Sequence, residues 1–181
     1  TLQNKMKSGL FLLLMFFSCY IYAQKTTLWV KQKAQTDIYR FELAVIKTAD
    51  TDGQNFIPQF IRVIAKKDNH VVQTIGVSEA FNGNVAKIST ALDVTDCNFD
   101  GYKDLMIFSH DGGAGPNYGY DFYLYNPLNK RFEFDESLSG LSQPFVDSKT
   151  KTIQSSWRGG AASHGGETYR FIKGKLTMIA N

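Results

Sequence analysis

The chain has 181 residues, with 20 Lys and Arg against 17 Asp and Glu and a formal net charge of +3. Lys5 and Lys7 precede an apolar run; without them 18 basic residues face 17 acidic ones, a net charge of +1. That balance gives no electrostatic argument for nucleic acid or an anionic membrane surface.

Lys5 and Lys7, the apolar run from Leu10 to Phe17 and the small residue Ala23 describe an export signal, cleaved between Ala23 and Gln24. Met6 makes a natural initiator, leaving Thr1 to Lys5 upstream of it. A second reading is a lipoprotein signal with Cys19 as the acylated residue. The run is too short to span a bilayer comfortably, so no transmembrane helix is expected in the mature form and the product is periplasmic or secreted. Residues 1–23 are thus upstream residues and signal, and 24–181 a single β-rich domain large enough for one core. Only Cys97 remains after cleavage, so no intrachain disulfide forms.

From Leu28 to Lys47 the chain is rich in Val, Ile, Thr and aromatics, and Phe41, Leu43 and Val45 alternate with Arg40, Glu42 and Ala44 as in a half-buried strand. A turn follows from Thr48 through Asp50, Asp52 and Gly53. Gln59–Lys66 and His70–Val77 read as a hairpin about K-K-D-N. Phe81-Asn82-Gly83-Asn84 is a further turn, and Val85–Val94 reads as another strand. No segment before it shows a long apolar stripe at helical spacing.

Asp96 to Asp104 reads D-C-N-F-D-G-Y-K-D. Oxygen-bearing side chains recur at Asp96, Asn98, Asp100 and Asp104, and Gly101 supplies a positive-φ corner. Calcium takes roughly six to eight oxygens at about 2.3–2.6 Å, and this spacing offers them, with the Tyr102 carbonyl and the Asp104 carboxylate completing the set. The twelfth position of an EF-hand would be a bidentate Glu; here it is Ile107, in a run that reads as a strand. Without a His or thiolate cluster, nothing selects a transition metal. Cys97 reads as a buried apolar filler.

Beyond the loop, Leu105–Phe108 is an inner strand and Ser109–Gly119 a glycine-rich connection. Tyr118, Tyr120, Phe122 and Leu124 share one face of the next strand, opposite Asp121 and Tyr123. Arg131–Phe134 begins another strand, and L-S-G-L at Leu138 a single helical turn. Thr152–Trp157 is strand-like, Arg158–Glu167 a second small-residue loop, and Thr168–Ile172 with Leu176–Ile179 a closing hairpin about K-G-K. Short, closely spaced strands indicate an all-β fold: a compact antiparallel sheet assembly, small or irregular and propeller-like.

No G-x-S-x-G elbow or H-E-x-x-H pair is present. His110 and His164 neighbour Ser109 and Ser163, with Asp111 and Glu167 close in sequence, but adjacency does not define a triad. The chain therefore reads as a binding module rather than an enzyme. Tyr118, Trp157, Arg158 and His164 are its partner-binding candidates, since aromatic and Arg side chains anchor binding patches.

The D-x-N-x-D-G-x-x-D-L pattern resembles the calcium loops of FG-GAP and VCBS-type repeats in integrin-like propellers. With Y-D-F-Y-L-Y-N-P, L-S-G-L and G-G-A-x-x-H before E-T-Y, residues 94–180 look like a family of small exported bacterial proteins. Some of these are calcium-binding inhibitors or immunity proteins that block lysozyme-like toxins in the periplasm. The resemblance implies calcium at Asp96, Asn98, Asp100, Tyr102 and Asp104, a propeller-like sheet assembly, and a muramidase-like toxin as partner. A carbohydrate-binding or cell-surface adhesion role is the alternative, and a hydrolase comes third.

Overall fold

The computed structural model describes residues 27–50, 53–77, 87–112 and 117–181. The export signal with Cys19, the Asp52 turn and the Phe81–Asn84 turn lie outside them. The first sheet comprises β1 (Thr27–Gln35), β2 (Tyr39–Asp50), β3 (Gly53–Ala65) and β4 (Val71–Gly76). The second comprises β5 (Leu92–Thr95), β6 (Asp104–Gly112), β7 (Asn117–Asn126) and β8 (Arg131–Phe134). A helical turn, α1 (Glu136–Ser139), leads to the third, comprising β9 (Phe145–Asp147), β10 (Thr152–Arg158), β11 (His164–Ile172) and β12 (Lys175–Ala180). Every pairing is antiparallel between chain neighbours, in the orders β1-β2-β3-β4, β5-β6-β7-β8 and β12-β11-β10-β9.

Side-chain alternation decides how the sheets stack, because successive residues of a strand point to opposite faces. On the second sheet, Leu105, Ile107 and Tyr123 join Phe41, Leu43, Val45, Ile61 and Val63 of the first sheet in one buried cluster. Their neighbours Phe122 and Met106 face the other way, into a cluster with Cys97, Leu138 and Ile153 that Tyr169, Phe171 and Leu176 of the third sheet complete. The second sheet is thus buried on both faces. Among the described residues neither cluster contains side chains of both the first and third sheets.

This overturns the propeller-like expectation. The protein is all-β with three four-stranded antiparallel sheets, none of them closed. Each face of the second sheet is already covered by one neighbour, which makes a layered stack rather than a ring of blades.

Polar side chains bridge the layers. The Gln73 amide on β4 donates to the Phe132 carbonyl of β8 at 2.8 Å and accepts from the Phe132 N–H at 2.9 Å. Asn117 on β7 does the same to Arg158 on β10, donating to its carbonyl at 2.7 Å and accepting from its N–H at 2.8 Å. Gln32 on β1 donates to the Ile88 carbonyl at 2.9 Å and accepts from the Leu92 N–H at 3.2 Å. Gln32 therefore takes part of the backbone bonding a strand over Val85–Val94 would need. The chain instead makes a 3-10 turn at Ile88–Thr90 and enters its strand only at Leu92.

Other boundaries shift outward. β2 runs to Asp50 and β3 starts at Gly53, so the turn expected from Thr48 is mostly strand. The β3–β4 hairpin forms where expected, with Asn69 at φ 61°. The closing β11–β12 hairpin turns through Lys173 at φ 51° and Gly174 at φ 74°, the two positive-φ residues that a tight two-residue hairpin requires.

Candidate functional site

The loop Asp96–Lys103 enters β6 at one end of the second sheet. Its carboxylates fold it by taking its own N–H groups. Asp96 Oδ1 accepts from Asp100 N at 3.1 Å and Asp96 Oδ2 from Gly101 N at 3.0 Å. Asn98 Oδ1 accepts from Asp100 N at 3.1 Å, and Asp100 Oδ1 from Tyr102 N at 2.8 Å. Phe99 at φ 63° and Gly101 at φ 94° turn the corners. A Cβ at Gly101 would meet nothing within 4 Å, so its backbone angle is what favours glycine there.

Asp104 is fully buried and divides its oxygens between loop and sheet: Oδ2 accepts from Cys97 N and Oδ1 from Tyr125 N, each at 2.8 Å. Burial pushes its carboxyl up to about 6, against the two backbone donors, and the nearby Asp100 and Asp96 charges push in the same direction. Cys97 is buried beside it, and burial likewise raises its thiol, as expected of an apolar filler.

The donor set suits a hard cation. Each carboxylate or amide oxygen named above keeps lone-pair capacity beyond its one backbone bond. Ion pairs among the described residues are confined to Glu42 with Arg40 and Arg62, and to Asp68 with His70. Lys103 and Lys151 line a 410 Å³ cavity with Asp96 and Asp100 without pairing with them. Among the described residues no three His, Cys, Asp or Glu side chains converge as a ready metal cluster. Asp104 in particular is turned into the sheet, leaving Asp96, Asn98, Asp100 and the Tyr102 carbonyl as the groups on the loop itself.

The partner-binding candidates lie at the other end of the same sheet. From Tyr125 to Tyr118 along β7 is seven residues, about 23 Å. Arg158 and His164 are cross-strand partners closing the β10–β11 hairpin, and Trp157 pairs with Gly165. Asn117 clamps Arg158 to β7 and so brings Tyr118 beside this hairpin. Trp157 is 39% and Tyr118 42% exposed, and Arg158 and His164 are exposed as well. A cavity of 380 Å³ is lined by Trp157, His110, Asn117, Ser139 at the end of α1 and the following Gly140, Leu141 and Ser142.

The glycines here serve close approach. A Cβ at Gly165 would stand 2.8 Å from Trp157 Cζ2, and one at Gly119 would collide with the His110 imidazole. Each ring lies over a cross-strand glycine, an arrangement that stabilises glycine within a strand. The stretches expected as glycine-rich connections are therefore partly strand: β6 reaches Gly112, β7 starts at Asn117 and β11 starts at His164. Among the described residues no hydrogen bond joins His110 or His164 to a serine or a carboxylate. His70 is an exposed turn residue, bonded to Asp68 at 2.5 Å.

The sequence reading did not single out Gln32, Gln73 or Asn117, which look like ordinary surface amides. Among the described residues no helix is long and apolar enough to cross a membrane. No family model and no curated protein matches this chain. Among solved structures it is similar to one described as "Structure of a Xanthomonas Type IV Secretion System related protein", at 13% identity and a TM-score of 0.37 over 87% of this chain and 86% of that one. A likeness that distant carries no argument about fold or function.

Proposed function

We propose that the chain is an exported, calcium-stabilised protein-binding module that inhibits a muramidase-like peptidoglycan hydrolase. The observation that carries the binding role is the far-end surface, where Tyr118, Trp157, Arg158 and His164 stand exposed on strands clamped together by Asn117. Aromatic and Arg side chains on a rigid base lose little freedom on binding, which favours affinity. The resemblance at Asp96–Leu105 and the motifs after it supply the class of partner. Calcium at the opposite end would add stability by binding the folded chain in preference to the unfolded one.

The test is a stoichiometric mixture of the purified chain with lysozyme-class hydrolases encoded beside it, read by complex formation and cell-wall lysis. The expected result is a stable complex and loss of lysis, with Trp157→Ala and Arg158→Ala each weakening it by about tenfold or more. Failure to bind or inhibit any of them would remove the inhibitor reading. A carbohydrate-binding role is favoured by a separate observation, a groove at the loop end lined by Tyr39, Tyr102 and Tyr125.

A further inference from the structure

At the loop end the first and second sheets part into two adjoining cavities, of 330 Å³ and 650 Å³, which share Ile38, Tyr39 and Tyr125. Tyr125 sits at their junction, its ring 5.7 Å from that of Tyr102, 6.0 Å from Tyr39 and 5.1 Å from Phe132 between centroids. Tyr102 is 46% and Ile38 56% exposed, so this apolar floor is open to a ligand.

Four cations border it: Lys103 on the first cavity, and Lys67, Lys130 and Arg131 on the second. None forms an ion pair among the described residues, and Asp37 is the one carboxylate among the described residues lining either cavity. Four cations against one carboxylate around an aromatic floor are complementary to a ligand with negative groups on a flat, partly apolar body.

We propose that this groove binds an anionic sugar chain carrying uronate carboxylates. A pyranose face packs its C–H groups on a phenol ring while its hydroxyls meet phenolic ones. Lys and Arg would form charge-assisted hydrogen bonds with the carboxylates, and an Arg can do so with two parallel bonds. Cavities joined through a common wall suit an extended ligand crossing both. An acidic peptide would also satisfy the cations, but extended peptides are held chiefly by main-chain bonds to an open sheet edge. Beside this groove, the Phe132 N–H and carbonyl of edge strand β8 are already taken by Gln73. The proposal does not rest on the hydrolase-binding surface, which lies at the other end of β7.

The experiment is calorimetric titration of the full chain with oligogalacturonate, with neutral cello-oligosaccharide of equal length and with poly-glutamate, at low and high salt. The uronate chain is expected to bind, to weaken with salt, and to exceed the other two by about tenfold or more. Lys130→Ala with Arg131→Ala, and separately Tyr102→Ala, should each weaken it by about tenfold. Lys173→Ala with Lys175→Ala, a charge-matched change on the β11–β12 hairpin, should leave it unaltered, and unchanged circular dichroism shows that each variant folds. No uronate binding, equal binding by the groove variants, or preference for poly-glutamate would overturn the proposal, the last in favour of an acidic peptide.

Discussion

The two ends of the second sheet are held by different chemistry. At the loop end, backbone donors are satisfied by the carboxylates of Asp96, Asp100 and Asp104. At the far end the work is done by a neutral amide, Asn117, and by rings lying over glycines. Carboxylates clustered without cationic partners repel one another, so the first end should respond to a bound cation. The second end carries no comparable charge cluster and should be indifferent to one. One sheet should thus join an end that responds to a cation to an end that does not.

The largest effect should come from Asp104. Asp104→Ala leaves the Cys97 and Tyr125 N–H groups without acceptors in a fully buried place, at a cost of about 3 kcal/mol. Asp104→Asn keeps one acceptor oxygen and should lose roughly half as much. Urea unfolding in chelator measures both, and a loss near zero would mean that this end is not held by its carboxylate.

Calcium removal should come next. At a concentration about a hundred times the dissociation constant, a bound ion adds about 2.7 kcal/mol to the folded state. Scanning calorimetry with and without chelator should show that difference in the unaltered chain, none in Asp100→Ala, and a reduced one in Asn98→Ala. Identical melting curves together with no calcium uptake would sink the metal reading.

What could be read from the sequence was local. The alternation of Phe41, Leu43 and Val45 places them at 1%, 0% and 0% exposure, and Gly101 stands at φ 94° where a corner was expected. Faces could be read as well: Phe122 and Tyr123 do enter opposite clusters. The stacking could not, because it depends on bonds spanning 59 residues for Gln73 and 41 for Asn117. Nothing in a lone polar amide distinguishes one that meets a neighbouring sheet from one that meets water. The glycines of the far end misled for a related reason. Flexibility is the local meaning of glycine, whereas the room that Gly165 gives Trp157 becomes visible only once the two strands are paired.

Smaller changes should separate the far end from the loop. Asn117→Ala removes both bonds to Arg158, worth about 1 kcal/mol in this exposed setting. Gly165→Ala forces the Trp157 ring aside at a similar cost of about 1 kcal/mol. Both should alter the tryptophan near-ultraviolet dichroism while leaving any calcium-dependent shift in melting intact. If either variant abolished that shift, the two ends would be coupled and the contrast between them would fail.

The smallest effect concerns whether the groove cations are free. Glu133 on β8 lies close in sequence to Lys130 and Arg131, yet its carboxylate accepts from Asn129 at 2.6 Å and from Asn126 at 3.3 Å. These amide bonds hold it below the usual glutamate range, Asn129 foremost. A carboxyl depressed in the folded state stabilises the fold at pH above its unfolded value, and that contribution is lost as pH falls through the folded value. Asn129→Ala should therefore raise the Glu133 titration midpoint, followed by carboxyl carbon resonance, and trim stability near neutral pH but not in strong acid. Because the donors are neutral amides, added salt should scarcely move the midpoint in the unaltered chain. A midpoint that climbed steeply with salt would instead reveal Lys130 or Arg131 as its partner, and the positive rim of the groove would already be neutralised from within.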